Sequence, residues 1–265
     1  MRSRYLPDET GIEFMNQNEK DIPAILISKG EEIFQAPPSI VRFTNNKAAD
    51  ELLNDIENYP HAFVLACVMD KQIKAELAWL IPYRISTKLG SFEFSILEGL
   101  SKDDVKDLMT KPEPLHRFPD KMSTEFHSAI ERIGIKFSGD SSLIWSKKPS
   151  SAEVVYEFLQ FVGVGPKIAT MAANILAREL KIPFRDYYSI DISADVHVRR
   201  VLYRLGLIEK GASVEKIIYK ARALNPDFPG LIDLPLWEIG RNWCRPKVAL
   251  CNKCYLKDFC PKTDV

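Results

Sequence analysis

The sequence has no excess of charge of either sign, because its 265 residues include 36 lysines and arginines and 36 aspartates and glutamates. A protein that binds nucleic acid often carries a basic excess, so any attraction for a polyanion must come from a local patch. One local excess lies at the C-terminal end, where the last 26 residues contain six basic residues and only two aspartates. The charge balance therefore confines polyanion binding to a part of the surface.

Long apolar runs are also missing. No stretch is apolar for long enough to cross a membrane, and the first residues lack the apolar region of a secretion signal. We therefore expect an intracellular, cytoplasmic protein with no membrane partner. Alternating strand patterns are scarce, and we find no internal repeat, low-complexity tract or long linker. The length suits one large domain or two packed lobes.

Apolar residues at helical spacing dominate the sequence from residue 46 onward, which predicts an all-α protein. The segment before it contains Pro7, Pro23, Pro37 and Pro38, and we interpret residues 1–45 as irregular. Ser101, followed by acidic residues, predicts the start of a further helix. The other helices are expected at residues 48–57, 63–82, 123–133, 167–180, 195–205, 213–224 and 233–243, and one more begins at Ser150 or Ser151 and runs through residue 161.

Cysteine is scarce but clustered, since four of the five cysteines fall within seventeen residues. In a reducing compartment, clustered cysteines are more often metal ligands than disulfide partners. Four thiolates can bind either zinc or an iron–sulfur cluster. The fifth, Cys67, stands in an apolar run and is expected to be buried. The candidate ligands are Cys244, Cys251, Cys254 and Cys260.

Residues 158–170 predict a hairpin between two helices. Gly163 and Gly165 allow a tight reversal, because glycine tolerates positive φ, and Pro166 suits the first turn of the next helix. Backbone N–H groups at such a helix start bind a phosphate without a basic side chain. An ordinary connection between two helices is the alternative.

Three segments together resemble one protein family. Residues 158–169 resemble the hairpin of helix-hairpin-helix DNA glycosylases, roughly Leu-Pro-Gly-Val-Gly-X-Lys-Thr-Ala. Residues 194–201 resemble that superfamily's Val-Asp-Thr-His-X-X-Arg-Val segment. The spacing Cys-X6-Cys-X2-Cys-X5-Cys, preceded by Gly240 and Arg241, resembles the [4Fe–4S] loop of endonuclease III and its adenine-glycosylase relatives. The sequence departs from the pattern at Pro166, in a longer stretch at 182–193, and in its N-terminal part.

The resemblance implies a catalytic pair. Lys167 falls on the position of the lysine that attacks C1′ of the sugar and forms a Schiff base. Asp195 falls on the essential aspartate, whose charge stabilises the sugar as the base departs. The alternatives are a solvated or phosphate-binding lysine and a simple helix cap. Asp191, four residues earlier, lies off the motif.

The resemblance also implies a [4Fe–4S] cofactor on the four clustered cysteines and a set of DNA contacts. The hairpin amides would bind a phosphate, and the loop between the first two cysteines would place basic side chains on others, unless those belong to a solvated face. A glutamine near the end of an early helix would fill the gap left by a flipped base. The candidate DNA-binding residues are Gly163, Val164, Gly165, Gln72, Arg245 and Lys247.

We therefore predict a two-lobed helix-hairpin-helix glycosylase. Residues 62–185 would form a helical lobe, and residues 1–61 would pack with the cluster lobe, 186–265. The expected activity is base excision with an associated β-lyase step on double-stranded DNA that contains a lesion, mismatch or abasic site. We expect a monomer, associated with the nucleoid in a prokaryote. A glycosylase without lyase activity and a non-catalytic iron–sulfur DNA-binding protein are the alternatives. Oxidised pyrimidines are the default target, and an alkylated purine or a mismatch also fits.

Overall fold

The computed structural model describes residues 17–265, with side chains from residue 21 onward. Within that range the chain forms α-helices and three short 3-10 helices, at Ser141–Ile144, Pro229–Ile232 and Cys251–Lys253, and no strand. None of these helices combines the length and apolar character needed to cross a bilayer. The α-helices are α1 (Gln17–Gln35), α2 (Lys47–Asn54), α3 (Pro60–Met69), α4 (Ala75–Trp79), α5 (Ile81–Leu89), α6 (Phe94–Glu98), α7 (Lys102–Thr110), α8 (Pro119–Phe137), α9 (Ser151–Leu159), α10 (Pro166–Arg178), α11 (Val196–Arg204), α12 (Val214–Leu224) and α13 (Asp233–Asn242).

The N-terminal segment departs from the sequence-based expectation. Residues 17–35 form the long helix α1, although we expected an irregular segment there because of its prolines. Pro23 lies inside the helix, and Ile22 and Leu26, four residues apart, are fully buried on one face. Burial of that apolar stripe outweighs the backbone hydrogen bond that the proline removes. Pro7 lies outside the described residues.

Helix starts follow the caps in the sequence. Ser101 and Asp104 form a reciprocal capping box at the start of α7, as expected from the acidic first turn. Ser150 and Glu153 form a second capping box at the start of α9. These side chains satisfy amides that have no partner inside the helix, which fixes the starting residue.

The helix predicted at residues 63–82 is wrong as one unit, because the structure divides it into α3, α4 and α5. Every residue of α3 is buried, and the helix ends at Met69. Gln72 then adopts a left-handed backbone with φ of 60°. A right-handed helix cannot continue through such a residue, so residues 70–74 form a loop.

Two hydrophobic cores organise the helices. The first core is built mainly from α2 to α10 around Phe63, Phe126 and Phe158. The second core joins α1 to α11, α12 and α13, and it contains Ile22 and Leu236. Helix α1 contributes Ile22 and Leu26 to the second core, while its Phe34 packs against the first, as α2 does. The domain bounds expected from the sequence stay a prediction.

Candidate functional site

Asp195 caps helix α11. Its Oδ1 atom accepts hydrogen bonds of 2.8 Å from the amides of both His197 and Val198. Within the part of the chain that the structure describes, Oδ2 accepts no hydrogen bond, and the residue is half-buried. Asp195 can therefore serve both as a helix cap and as a catalytic carboxylate, because Oδ1 binds the helix amides and Oδ2 is available to a ligand.

Asp191 is engaged differently. Its two carboxylate oxygens accept from Arg222, with Nε–Oδ1 of 2.7 Å and Nη2–Oδ2 of 2.9 Å. This bidentate geometry is typical of a structural ion pair. Asp191 is therefore the weaker candidate for a carboxylate that acts on a substrate.

Lys167 is the second residue of α10 and is exposed. It follows the hairpin directly, as the sequence predicts. Its positive charge lowers the pKa of two carboxyls, those of Asp70 and Asp233. Burial raises the pKa of Asp70, and the charge of Lys167 lowers it. The charge of Lys167 thus acts on two partly buried carboxyls, those of Asp70 and Asp233.

Asp233, at the start of α13, links the two candidate catalytic residues. Burial raises the pKa of its carboxyl from 3.8 to about 6, while the charges of Arg178 and Lys167 act in the opposite direction and that of Asp195 adds to the rise. Its Oδ1 atom accepts from the amide of Ser193 at 2.7 Å. The Asp195 amide in turn donates to the Ser193 carbonyl at 2.6 Å. Asp233 therefore holds the turn that carries Asp195 and lies within electrostatic range of Lys167.

The hairpin forms as predicted between α9 and α10, but only one glycine has the unusual backbone. Gly163 has a φ of 80°, and a Cβ there would clash with the side chains of Glu125 and Lys71. Gly165 has a φ of −105° and open space around the position of a Cβ. The expectation that both glycines serve the reversal is therefore corrected, since Gly163 alone requires positive φ.

The hairpin leaves donors available at the start of α10. Among the residues described, the amides of Gly165 and Lys167 donate no hydrogen bond. Val164 differs, because its amide donates to the Phe161 carbonyl at 3.0 Å and its side chain is buried in the first core. Two amides at a helix start form a suitable place for an anion, whereas Val164 contributes the shape of the turn.

Gln72 occupies the loop between α3 and α4. Its side chain is exposed, and its left-handed φ of 60° is uncommon for a residue with a Cβ. Such a conformation costs about 1–3 kcal/mol and persists only where the surroundings impose it. Gln72 is therefore exposed on a backbone conformation that the rest of the loop must hold in place.

The four clustered cysteines surround one cavity in the second core, which α11, α13 and the C-terminal residues enclose. Two of the sulfur atoms accept N–H hydrogen bonds. Arg204 Nη1 donates to Cys244 Sγ at 3.5 Å, and the Lys262 amide donates to Cys260 Sγ at 3.3 Å. Cys67 is fully buried in the first core, as expected. Within residues 17–265, no three potential ligands converge closely enough for a single metal ion.

Two arginines of α11 tie the cysteine loop to the helix. Arg200 donates to the carbonyls of Cys244 and Gly240, at 2.7 and 2.8 Å. Arg204 donates to the Arg245 carbonyl at 2.8 Å. A Cβ at Gly240 would lie 2.7 Å from the Cβ of His197, so this glycine lets α13 approach α11. The side chain of Arg245 is exposed, like that of Lys247, the other basic residue of the loop.

No family model matches the chain. It is 32% identical over 112 residues to endonuclease III of Thermotoga maritima, an alignment that covers 42% of this chain and 46% of the relative. Endonuclease III of Sulfolobus acidocaldarius is 34% identical over 100 residues, which cover 37% of this chain and 40% of the relative. The similarity thus spans less than half the length of these curated relatives.

Solved structures match over nearly the whole chain. A trapped covalent intermediate of endonuclease III with DNA has a TM-score of 0.59 at 16% identity and covers 92% of this chain and 96% of that one. A thermostable thymine-DNA glycosylase also has a TM-score of 0.59, at 11% identity, covering 95% of this chain and 99% of that one. At such identities the likeness establishes the fold.

Proposed function

We propose that the chain is a member of the helix-hairpin-helix DNA glycosylase superfamily, whose fold it shares, and that it is a base-excision repair enzyme for double-stranded DNA. The all-α fold expected from the sequence is confirmed. The observation that supports this function most strongly is the placement of Lys167 directly after the hairpin and of Asp195 at the cap of α11, where Oδ1 of Asp195 accepts two amides and Oδ2 accepts none from the described residues.

A glycosylase has to reach a bond that lies inside a stacked duplex, so the target nucleotide is extruded into the protein. Positive charge then develops on the sugar as the base leaves. The oxygen of Asp195 that accepts no amide is suited to stabilise that charge, while its other oxygen keeps the carboxylate oriented. The cap thus provides the preorganisation that electrostatic catalysis requires.

Lys167 supplies the amine for the lyase step. Its unprotonated Nζ attacks C1′, and the C1′–N bond to the base breaks with the electron pair leaving on the base. Opening of the sugar ring gives a Schiff base, from which β-elimination cleaves the strand. An exposed lysine at the start of α10 can reach a sugar that the hairpin holds by its phosphate.

DNA would be held at several points. The amides of Gly165 and Lys167 suit a phosphate at the start of α10. The exposed side chains of Arg245 and Lys247 would bind further phosphates, and they would give a chain of zero net charge a local positive surface. Gln72, held outward on a left-handed backbone, suits the gap left by the extruded nucleotide.

The four cysteines fit a [4Fe–4S] cluster. Their sulfur atoms surround one cavity, and the four thiolates would hold the cluster there. A zinc ribbon usually pairs two Cys-X2-Cys knuckles, whereas this segment has one, at Cys251 and Cys254. The Arg204 guanidinium that donates to the Cys244 sulfur suits a thiolate, which accepts such bonds. Bound there, the cluster would fix the loop that carries Arg245 and Lys247.

Duplexes that each contain one defined lesion test the function. The set should include oxidised pyrimidines, alkylated purines, mismatches and an abasic site, with an undamaged duplex as the control. We expect base release from at least one lesion and incision of the abasic duplex without alkali. Release without incision would identify a glycosylase that lacks the lyase step. Binding with neither reaction would refute the enzymatic proposal and favour a non-catalytic DNA-binding protein.

A further inference from the structure

One buried ion pair joins the hairpin to the loop that presents Gln72. The Nζ atom of Lys71 pairs with Oε2 of Glu125 on α8 and donates to the carbonyl of Gly163 at 3.0 Å. The side chains of Lys71 and Glu125 are 16% and 6% exposed, so both charges are largely removed from water. A pair in such surroundings is held rigidly, because separating its members leaves a charge uncompensated.

The backbone of the same loop is fixed as well. His116 Nε2 lies 2.9 Å from the Lys71 carbonyl, and the Phe118 amide donates to His116 Nδ1 at 3.0 Å. Because Nδ1 accepts, Nε2 carries the proton and donates to Lys71. Burial lowers the pKa of His116, which keeps the ring neutral and this tautomer in place. Residue 71 is therefore held by its side chain and by its carbonyl.

Gln72 follows directly and has the strained φ of 60°. Its own side chain is exposed, so packing of that side chain does not impose the conformation. The contacts of Lys71 are the restraints next to it in the chain. The ammonium of Lys71 also donates a hydrogen bond to the Gly163 carbonyl, which belongs to the hairpin.

We propose that Lys71 is a positioning residue that holds the hairpin and Gln72 at a fixed separation, so that phosphate binding and filling of the vacated gap occur together. The inference rests on the proposed function, since it assigns Gln72 and the hairpin to DNA. Lys71 itself need not touch the duplex.

The test measures preference for an abasic duplex, defined as its affinity divided by the affinity for an undamaged duplex of the same sequence. A stable tetrahydrofuran abasic site serves as the probe, so chemistry does not interfere. Lys71→Met removes the ammonium and keeps the chain length. Lys71→Met with Glu125→Gln removes both buried charges together, which avoids an unpaired carboxylate if the single variant folds poorly. Lys121→Met is the matched control, because Lys121 also approaches Glu125, at 3.7 Å, but is 68% exposed.

We expect the preference to fall about tenfold in both Lys71 variants, with the salt dependence of binding unchanged, and to stay at the wild-type value in Lys121→Met. In a Gln72→Ala background, Lys71→Met should cause no further loss of preference. A general loss of stability would move the melting temperature but would not produce this non-additivity.

If the variant that combines Lys71→Met with Glu125→Gln folds and keeps the wild-type preference, the inference is overturned. Losses that add in the Gln72→Ala background would also overturn it, because Lys71 would then act independently of Gln72. The proposed function fails in a different way, through a wild-type protein that binds both duplexes equally.

Discussion

Asp233 should make the folded protein less stable at neutral pH than it is in acid. Burial raises the pKa of this carboxyl from 3.8 to about 6. An acid with a higher pKa in the folded state binds more protons when folded than when unfolded. The contribution of Asp233 to the free energy of unfolding therefore falls as the pH rises from about 4 to about 6, and it stays at its lowest value above that range.

The size of the effect follows from the shift. About two pKa units correspond to about 3 kcal/mol at pH 8, and about half of that at pH 5. The side chain keeps some contact with solvent, so these values are ceilings. Asp233→Asn removes the charge and keeps an oxygen that can accept from the Ser193 amide, the 2.7 Å bond of the wild-type protein. The variant should be more stable than the wild type at both pH values, and more so at pH 8.

Thermal melting at pH 5 and pH 8 measures this difference, since 1 kcal/mol corresponds to roughly 2–4 °C in a chain of this size. Asp191→Asn is the matched control, because its charge is paired with Arg222 and its removal should lower the melting temperature. If Asp233→Asn were destabilising, or equally stabilising at both pH values, the reasoning about this carboxyl would be refuted. A stabilising variant with slower base release would show that the site keeps this charge for function.

Three further predictions concern the hairpin, the basic loop and the cysteines. Gly163→Ala should destabilise the fold by about 1–3 kcal/mol in chemical denaturation, because its φ is positive and a methyl meets a buried ion pair. Gly165→Ala should leave stability unchanged and weaken DNA binding in a titration; a large stability loss there would contradict the geometry. Lys247→Ala should reduce the slope of log affinity against log salt by about one unit, and an unchanged slope would place this lysine on a solvated face. Cys251→Ser should lose iron by metal analysis whereas Cys67→Ser keeps it; zinc without iron in the anaerobically purified wild-type protein would refute the cluster.

The parts of the fold that could be predicted depend on residues that lie close together in the sequence. The caps at Ser101 and Ser150 and the hairpin between α9 and α10 depend on residues a few positions apart. The same holds for the spacing of the cysteines. Side chains that serve neighbouring backbone groups leave a pattern that can be interpreted without the tertiary structure.

The features that could not be predicted join distant parts of the chain. Lys71 and Glu125 are 54 residues apart, and Ser193 and Asp233 are 40 apart. The sequence pattern marked Asp233 only as the start of a helix, and it gave no indication of a role for Lys71. Pro23 favoured an irregular segment, although burial of Ile22 and Leu26 stabilises a helix through it.

The central claim is that Lys167 is the amine that attacks C1′. Borohydride reduces a Schiff base to a stable link, so incubation with an abasic or lesion duplex and borohydride should join the wild-type protein covalently to DNA. Lys167→Ala should give no adduct while still binding the duplex, because the hairpin amides do not depend on its side chain. The exposed Lys147→Ala variant is the matched control and should trap normally. An adduct formed by Lys167→Ala at the wild-type rate would contradict the account.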